Sequence, residues 1–168
     1  MITVNPLRSG TLIAKLTSLW EDSVRATHHF LTEQDIQNLK PMVYEGLNTI
    51  NTLIILSENE IPVAFMGIDS DKIEMLFVSP SYFGKGYGKQ LIKLGISQFD
   101  IRYVDVNEQN PLATGFYQHL GFEVFGRTET DGQGNPFPIF KMKRDSISIR
   151  QANTNDIPDL KDLSPQKK

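Results

Sequence analysis

The stretch Ile73-Glu74-Met75-Leu76-Phe77-Val78-Ser79-Pro80-Ser81-Tyr82-Phe83-Gly84-Lys85-Gly86-Tyr87-Gly88-Lys89 sets the reading of the whole chain. Ile73–Val78 is an apolar run of strand type, closed by Ser79-Pro80. Glycine then stands at every second position from Gly84 to Gly88, and beyond it Leu91, Ile92, Ile96 and Phe99 recur on one helical face. A strand therefore runs through a glycine turn into a helix start. There, consecutive backbone N–H groups can converge on an anion, and the helix macrodipole adds partial positive charge. A pyrophosphate suits such a turn, and a plain structural turn is the alternative. A P-loop would need four residues between its first glycine and the Gly-Lys-Ser/Thr. Here Gly84 to Gly88 leaves three, and Gln90 follows Lys89. A dinucleotide fold would place the glycines directly after an early strand. Here Ser79–Phe83 intervene, although Asp105 stands at a suitable distance for its acidic residue.

On the amino-terminal side, Ile2–Asn5 alternates as a short strand, and Leu12, Ile13, Leu16, Leu19, Trp20 and Val24 recur at helical spacing. A second helix is expected from about Glu33 to Leu47, with Thr32 and Asp35 placed as a capping box. Leu53–Leu56 and Pro62–Ile68 are strands, and the short turns at Ser57–Glu60 and Asp69–Asp71 make them antiparallel with Ile73–Val78. Past the glycine helix, Tyr103–Val106 reads as a strand, and a strand, crossover helix and strand imply one parallel pair. Asn110 caps the next helix, Pro111 suits its first position and Gly121 its stop, with Ala113, Phe116, Tyr117 and Leu120 as its buried stripe. Phe122–Thr130 and Pro138–Arg144 complete the strands across a loop at Asp131–Asn135. The fold class is α/β in the broad sense, α+β in detail: a mostly antiparallel mixed sheet of six to seven strands flanked by helices.

The second motif is Asp105-Val106-Asn107-Glu108-Gln109-Asn110-Pro111, followed by Phe116-Tyr117 and Leu120-Gly121-Phe122. With the glycine loop before it, this pattern resembles the acetyl-coenzyme A site of the GNAT N-acetyltransferases, in particular small stand-alone bacterial members. The likeness runs over roughly Ile2 to Arg144. It implies acetyl-coenzyme A as donor and a primary amine, on a small molecule or a protein, as acceptor. It implies that backbone groups of Leu76, Phe77 and Val78 hold the pantetheine arm, Val78 nearest the acetyl end. It assigns the pyrophosphate to the amides of Gly84, Lys85, Gly86, Tyr87, Gly88 and Lys89, and places Asn110 beside the thioester. Tyr117 takes the general-acid position, though its place on the buried stripe also makes it an ordinary core aromatic. Asp105 and Glu74 compete as the base, each equally readable as a solvated or salt-bridged strand residue. Trp20, His28 and His29 lie where the acceptor enters in such relatives, against helix-end and core roles. One departure stands out: Phe83 occupies the head of the loop where the family has Gln or Arg.

Composition bounds the alternatives. A chain of 168 residues has the size of one domain, and 39% hydrophobic with 22% charged residues places it among globular proteins. A net charge of −3 with no basic stripe argues against nucleic acid and mildly favours a cationic acceptor. With zero cysteines there is no thiolate metal site and no thiol nucleophile. His28 and His29, being adjacent, diverge on a helix and cannot share a metal. Met1–Asn5 lacks the basic and apolar parts of a secretory signal, and no run reaches membrane length, so the cytoplasm is the expected place. A homodimer is compatible with these residues. A non-catalytic acyl-coenzyme A sensor is the alternative to an enzyme. The acetyltransferase domain is expected over 1–145. The tail, 146–168, resembles the opening strand and helix of a second, truncated domain, since Ile147 to Ile157 repeats the spacing of Ile2 to Leu12.

Overall fold

In the computed structural model, which describes residues 1–145, the chain divides into two units, Met1–Phe99 and one beginning at Asp100. The expectation for the 146–168 tail lies outside the described residues. The first unit runs β1 (Ile2–Val4), α1 (Gly10–Thr27), α2 (Glu33–Thr49), β2 (Thr52–Glu58), β3 (Ile61–Asp69), β4 (Lys72–Val78), a 3₁₀ turn at Pro80–Tyr82, and α3 (Tyr87–Phe99). β1 to β4 pair in sequence order, each antiparallel to the next. That follows from the tight turns, where Asn59, Glu60 and Ser70 adopt positive φ.

Leu53–Leu56 and Val63–Ile68 are buried throughout rather than alternately, because both faces of these strands are covered. Leu53, Ile55 and Phe65 join Ile13, Leu16, Leu19, Trp20 and Val24 of α1 and Ile36 and Leu47 of α2 in one core. Ile54, Ala64 and Met66 point the other way by strand alternation, and α3, with Leu91, Ile92 and Gly95 buried, packs on these strands too. α2 begins with the expected capping box, Thr32 accepting from the Asp35 amide while the Asp35 carboxylate accepts from the Thr32 amide. Thr32→Ala should therefore cost about 1 kcal/mol of stability, read as a lower urea midpoint with unchanged slope.

The second unit holds β5 (Tyr103–Asn107), α4 (Pro111–His119), β6 (Phe122–Thr128) and β7 (Ile139–Arg144), with β7 antiparallel to both β5 and β6. Gly121, at φ 99°, ends α4 as its position in the sequence requires. Arg144 is the buried charge of this unit, its Nε donating to the Ile101 carbonyl at 2.6 Å and its Nη2 to Asp100 at 2.9 Å. The element order agrees with the one read from the sequence, with the short 3₁₀ turn as an addition. Among the described residues no helix is long and apolar enough to cross a membrane.

Candidate active site

β4 delivers the chain to the glycine loop. Ser79 still donates to the Val63 carbonyl at 2.8 Å, and the 3₁₀ turn then lifts the backbone away before Gly84. Gly84 and Gly86 take φ values of 79° and 81°, the left-handed region that costs a side-chain-bearing residue about 1–2 kcal/mol. A Cβ built on either meets no atom within 4 Å, so the glycines serve backbone conformation and leave open space beside it. The first bond closing into α3 runs from the Gln90 amide to the Gly86 carbonyl. The amides ahead of Gln90 thus have no acceptor within the helix. No acidic residue stands in this first turn, whereas Lys85 and Lys89 flank it. Burial, and after it the like charge of Lys89, hold the Lys93 ammonium below its usual range. Lys85 lies 5.0 Å over the Tyr82 ring. Phe83 is exposed and adds no polar group. Amides without hydrogen-bond partners and lysines without ion-pair partners among the described residues, beside open space, fit the diphosphate of coenzyme A.

On β4, Leu76, Phe77 and Val78 pair with Met66, Phe65 and Ala64 of β3. Met75 and Phe77 turn into the core beneath α1 and α2, so Leu76 and Val78 face the opposite side. Glu74 interrupts the alternation of β4. Ile68 pairs with Ile73 and Gly67 with Met75, which leaves Glu74 as the extra residue of a β-bulge. Its direction is therefore not tied to that of Leu76 and Val78. A Cβ on Gly67 would come within 3.3 Å of the Met75 and Ile50 side chains, so both pack closely over this glycine beside the bulge.

At the junction of α1 and α2 the three acceptor candidates separate. Trp20 is 4% exposed within the α1–α2 core, the core role that its helical stripe also allowed. His29 is exposed. His28 caps the end of α1, its ring 5.4 Å from Phe30 and 6.4 Å from Phe77 of β4. Arg25 braces this corner, binding Glu21 within α1 and Glu33 at the start of α2.

Burial, and after it the charge of His29, pull the His28 imidazole down to about 4. An unfolded histidine titrates near 6.5. Between the two values the unfolded chain binds a proton that the native chain refuses. Stability is therefore whole above about pH 6.5 and falls as the medium becomes more acid, by about 3 kcal/mol at pH 4. His28→Leu should remove that part of the acid loss, seen by comparing urea midpoints at neutral and mildly acid pH.

In the second unit Asp105 lies on the exposed side of β5, opposite Lys141 of β7, whose Nζ is 3.6 Å away. Asn110 caps α4, its side-chain oxygen accepting from the Ala113 amide at 3.3 Å. Tyr117 is 7% exposed, with edge contacts to Phe116 at 5.1 Å and Phe122 at 5.6 Å. Burial pushes its phenol well above the usual tyrosine range. The group stays protonated at every physiological pH. Its hydroxyl has no hydrogen-bond partner among the described residues.

The structure brings His28 to Phe77 of β4 at one strand-and-helix corner of the first unit, and Asp105 to a lysine. Two participants escaped the sequence reading. Thr27 holds the His28 ring at 2.8 Å, and the bulge frees Glu74 from the strand's alternation. The habit of helical threonines to bond back to the preceding turn was a usable signal for Thr27. A bulge has no local signal of comparable strength.

A diphosphate cradle that lacks the P-loop lysine pattern, reached from a strand able to take a flexible arm, is what a coenzyme A thioester requires; the class is an acyl-coenzyme A-dependent transferase. A family model described as an acetyltransferase (GNAT) domain matches residues 18–145. Peptidyl-lysine N-acetyltransferase YjaB of Salmonella typhimurium is 34% identical over 128 residues, covering 76% of this chain and 88% of the relative; the Escherichia coli protein is likewise 34% identical. The solution structure of apo YjaB from E. coli superposes with a TM-score of 0.76 at 33% identity, over 85% of this chain and 97% of that one. The PaiA N-acetyltransferase of Thermoplasma acidophilum, solved with coenzyme A, shares the fold at a TM-score of 0.64 and 20% identity, over 86% and 98% of the two chains. The chain belongs to the GNAT acetyltransferase family. It is an N-acetyltransferase whose donor is acetyl-coenzyme A and whose acceptor is an amine.

Proposed function

We propose that this enzyme acetylates the ε-amine of lysine in a peptide or protein, by direct attack with both substrates bound. The observation that supports the lysine assignment is the 34% identity, over 76% of this chain, to relatives named for acetylating peptidyl lysine. With no cysteine there is no thiol to carry an acetyl group.

When bound, acetyl-coenzyme A supplies the thioester carbonyl carbon as electrophile. The amides of Gly84, Lys85, Gly86, Tyr87, Gly88 and Lys89 bind its diphosphate, and the backbone of Leu76, Phe77 and Val78 its pantetheine arm. An amide near Val78 stabilises charge on the carbonyl oxygen. The Asn110 cap occupies the side-chain oxygen alone, so the N–H donors of that amide serve the donor. Asp105 or Glu74 takes a proton from the acceptor ammonium through water, since only the free amine has a lone pair. Asp105 is the better held, through Lys141. Tyr117 keeps a proton at Oη for the departing sulfur. His28 and His29 border the acceptor.

Incubation with acetyl-coenzyme A and lysine peptides of blocked amino terminus should yield ε-acetyl-lysine by mass spectrometry. Acetylation confined to α-amino groups, polyamines or free amino acids would overturn the lysine assignment.

A further inference from the structure

We infer that His28 is held as a neutral imidazole with its hydrogen on Nδ1, and that its bare Nε2 accepts a hydrogen bond from the acceptor amine, aiming the nitrogen lone pair. This deepens the reading of His28 as an acceptor-site residue and rests on it. Thr27 Oγ1 lies 2.8 Å from the Ser23 carbonyl oxygen and 2.8 Å from His28 Nδ1. A carbonyl only accepts, so the single hydroxyl hydrogen is committed to Ser23. Toward His28 the hydroxyl oxygen can therefore only accept, and Nδ1 must carry the hydrogen. A neutral ring has one such hydrogen, which leaves Nε2 as a lone pair.

The surroundings keep the ring neutral. Thr27 and Ser23 on α1 are uncharged, Phe30 and Phe77 cover the ring, and His29 is the titratable neighbour that acts on it, in the direction that opposes protonation. Among the described residues the enclosed side-chain nitrogens and oxygens without partners are Arg102 Nε and Arg144 Nη1. His28 Nε2 is not one of them and has no hydrogen bond among the described residues, so it is open to a ligand. Phe77 belongs to the β4 segment assigned to the pantetheine arm. A carboxylate in the place of His28 would favour the ammonium form by attraction, whereas a neutral nitrogen does not. The corner therefore suits an uncharged alkyl amine whose methylenes lie along Phe30 and Phe77.

The test joins spectroscopy with kinetics. Long-range ¹H–¹⁵N spectra of the labelled protein at pH 7 should show His28 protonated at Nδ1 and bare at Nε2, and addition of a lysine peptide with coenzyme A should shift Nε2. Thr27→Val should release the tautomer into a mixture. His28→Asn retains a donor toward Thr27 but none at the Nε2 position, and should lower kcat/KM for the peptide about tenfold, the scale of one lost hydrogen bond. His28→Gln places an acceptor there and should recover most of it. Acetyl-coenzyme A affinity, by calorimetry, should be the same in both. A hydrogen on Nε2, or equal losses in Asn and Gln variants of normal donor affinity, would overturn the inference. Wild-type protein that binds no acetyl-coenzyme A would instead sink the donor-site assignment, with the tautomer still decided by the spectra.

Discussion

Tyr117→Phe should lower turnover of a lysine peptide by about 10²- to 10⁴-fold, the range of a lost general acid, while acetyl-coenzyme A affinity and the urea midpoint stay near wild type. The ring packs edge-on against Phe116 and Phe122, and phenylalanine keeps both contacts. The hydroxyl has no partner among the described residues, so its removal orphans nothing and stability should move by less than about 1 kcal/mol. Burial sets how the group acts. In the proposed acid role the raised pKa makes the phenol a loaded but reluctant acid, one that would give up its hydrogen only as negative charge gathers on sulfur. It follows that kcat should show no alkaline limb from Tyr117 at ordinary assay pH. Stability carries the matching sign: above about pH 10 the unfolded phenol ionises and the native one does not, so stability falls, and Tyr117→Phe should flatten that fall. Full turnover in the phenylalanine variant would remove the acid role.

Replacing both Gly84 and Gly86 with alanine should weaken acetyl-coenzyme A binding by about 30- to 1,000-fold, with little change in the urea midpoint. Each alanine at φ near 80° costs about 1–2 kcal/mol, and two together about 2–4 kcal/mol. No atom lies within 4 Å of either built Cβ, so the penalty is conformational rather than steric. The loop is exposed and relaxes out of the left-handed region, which spares the fold. Relaxation turns the amides away from the point where they converge, and the diphosphate loses its donors. Calorimetry on the double variant reads this directly. Unchanged affinity would mean that the diphosphate is held elsewhere, and the cradle assignment would fall.

How much of this was legible in the sequence depends on the reach of each determinant. The Thr32–Asp35 box, the Asn110 cap and the Gly121 stop involve residues three or fewer apart, or one backbone dihedral, and all stand where the sequence put them. The glycine loop was legible for the same reason. The burial of Trp20 was not, because a tryptophan on a helical stripe suits core and cleft with the same periodicity, and only packing in the α1–α2 core encloses it. The direction of Glu74 was not legible either, because period-two alternation presumes an unbroken ladder. The bulge exists only in the pairing with β3, where Gly67 makes room for Met75.

By itself, then, the amino-acid sequence determined the order of the elements, the caps of α2 and α4, the glycine turn, the absence of a thiol nucleophile and the family. Those features depend on residues close in the chain or on composition. Tertiary structure alone decided the state of the candidate groups. The Tyr117 phenol rises and the His28 imidazole falls because each is stripped of water by neighbours brought to it by the fold. Asp105 meets Lys141 across strands far apart in sequence. A proton's free energy responds to solvent and charge within a few ångströms, and that neighbourhood comes into being only on folding.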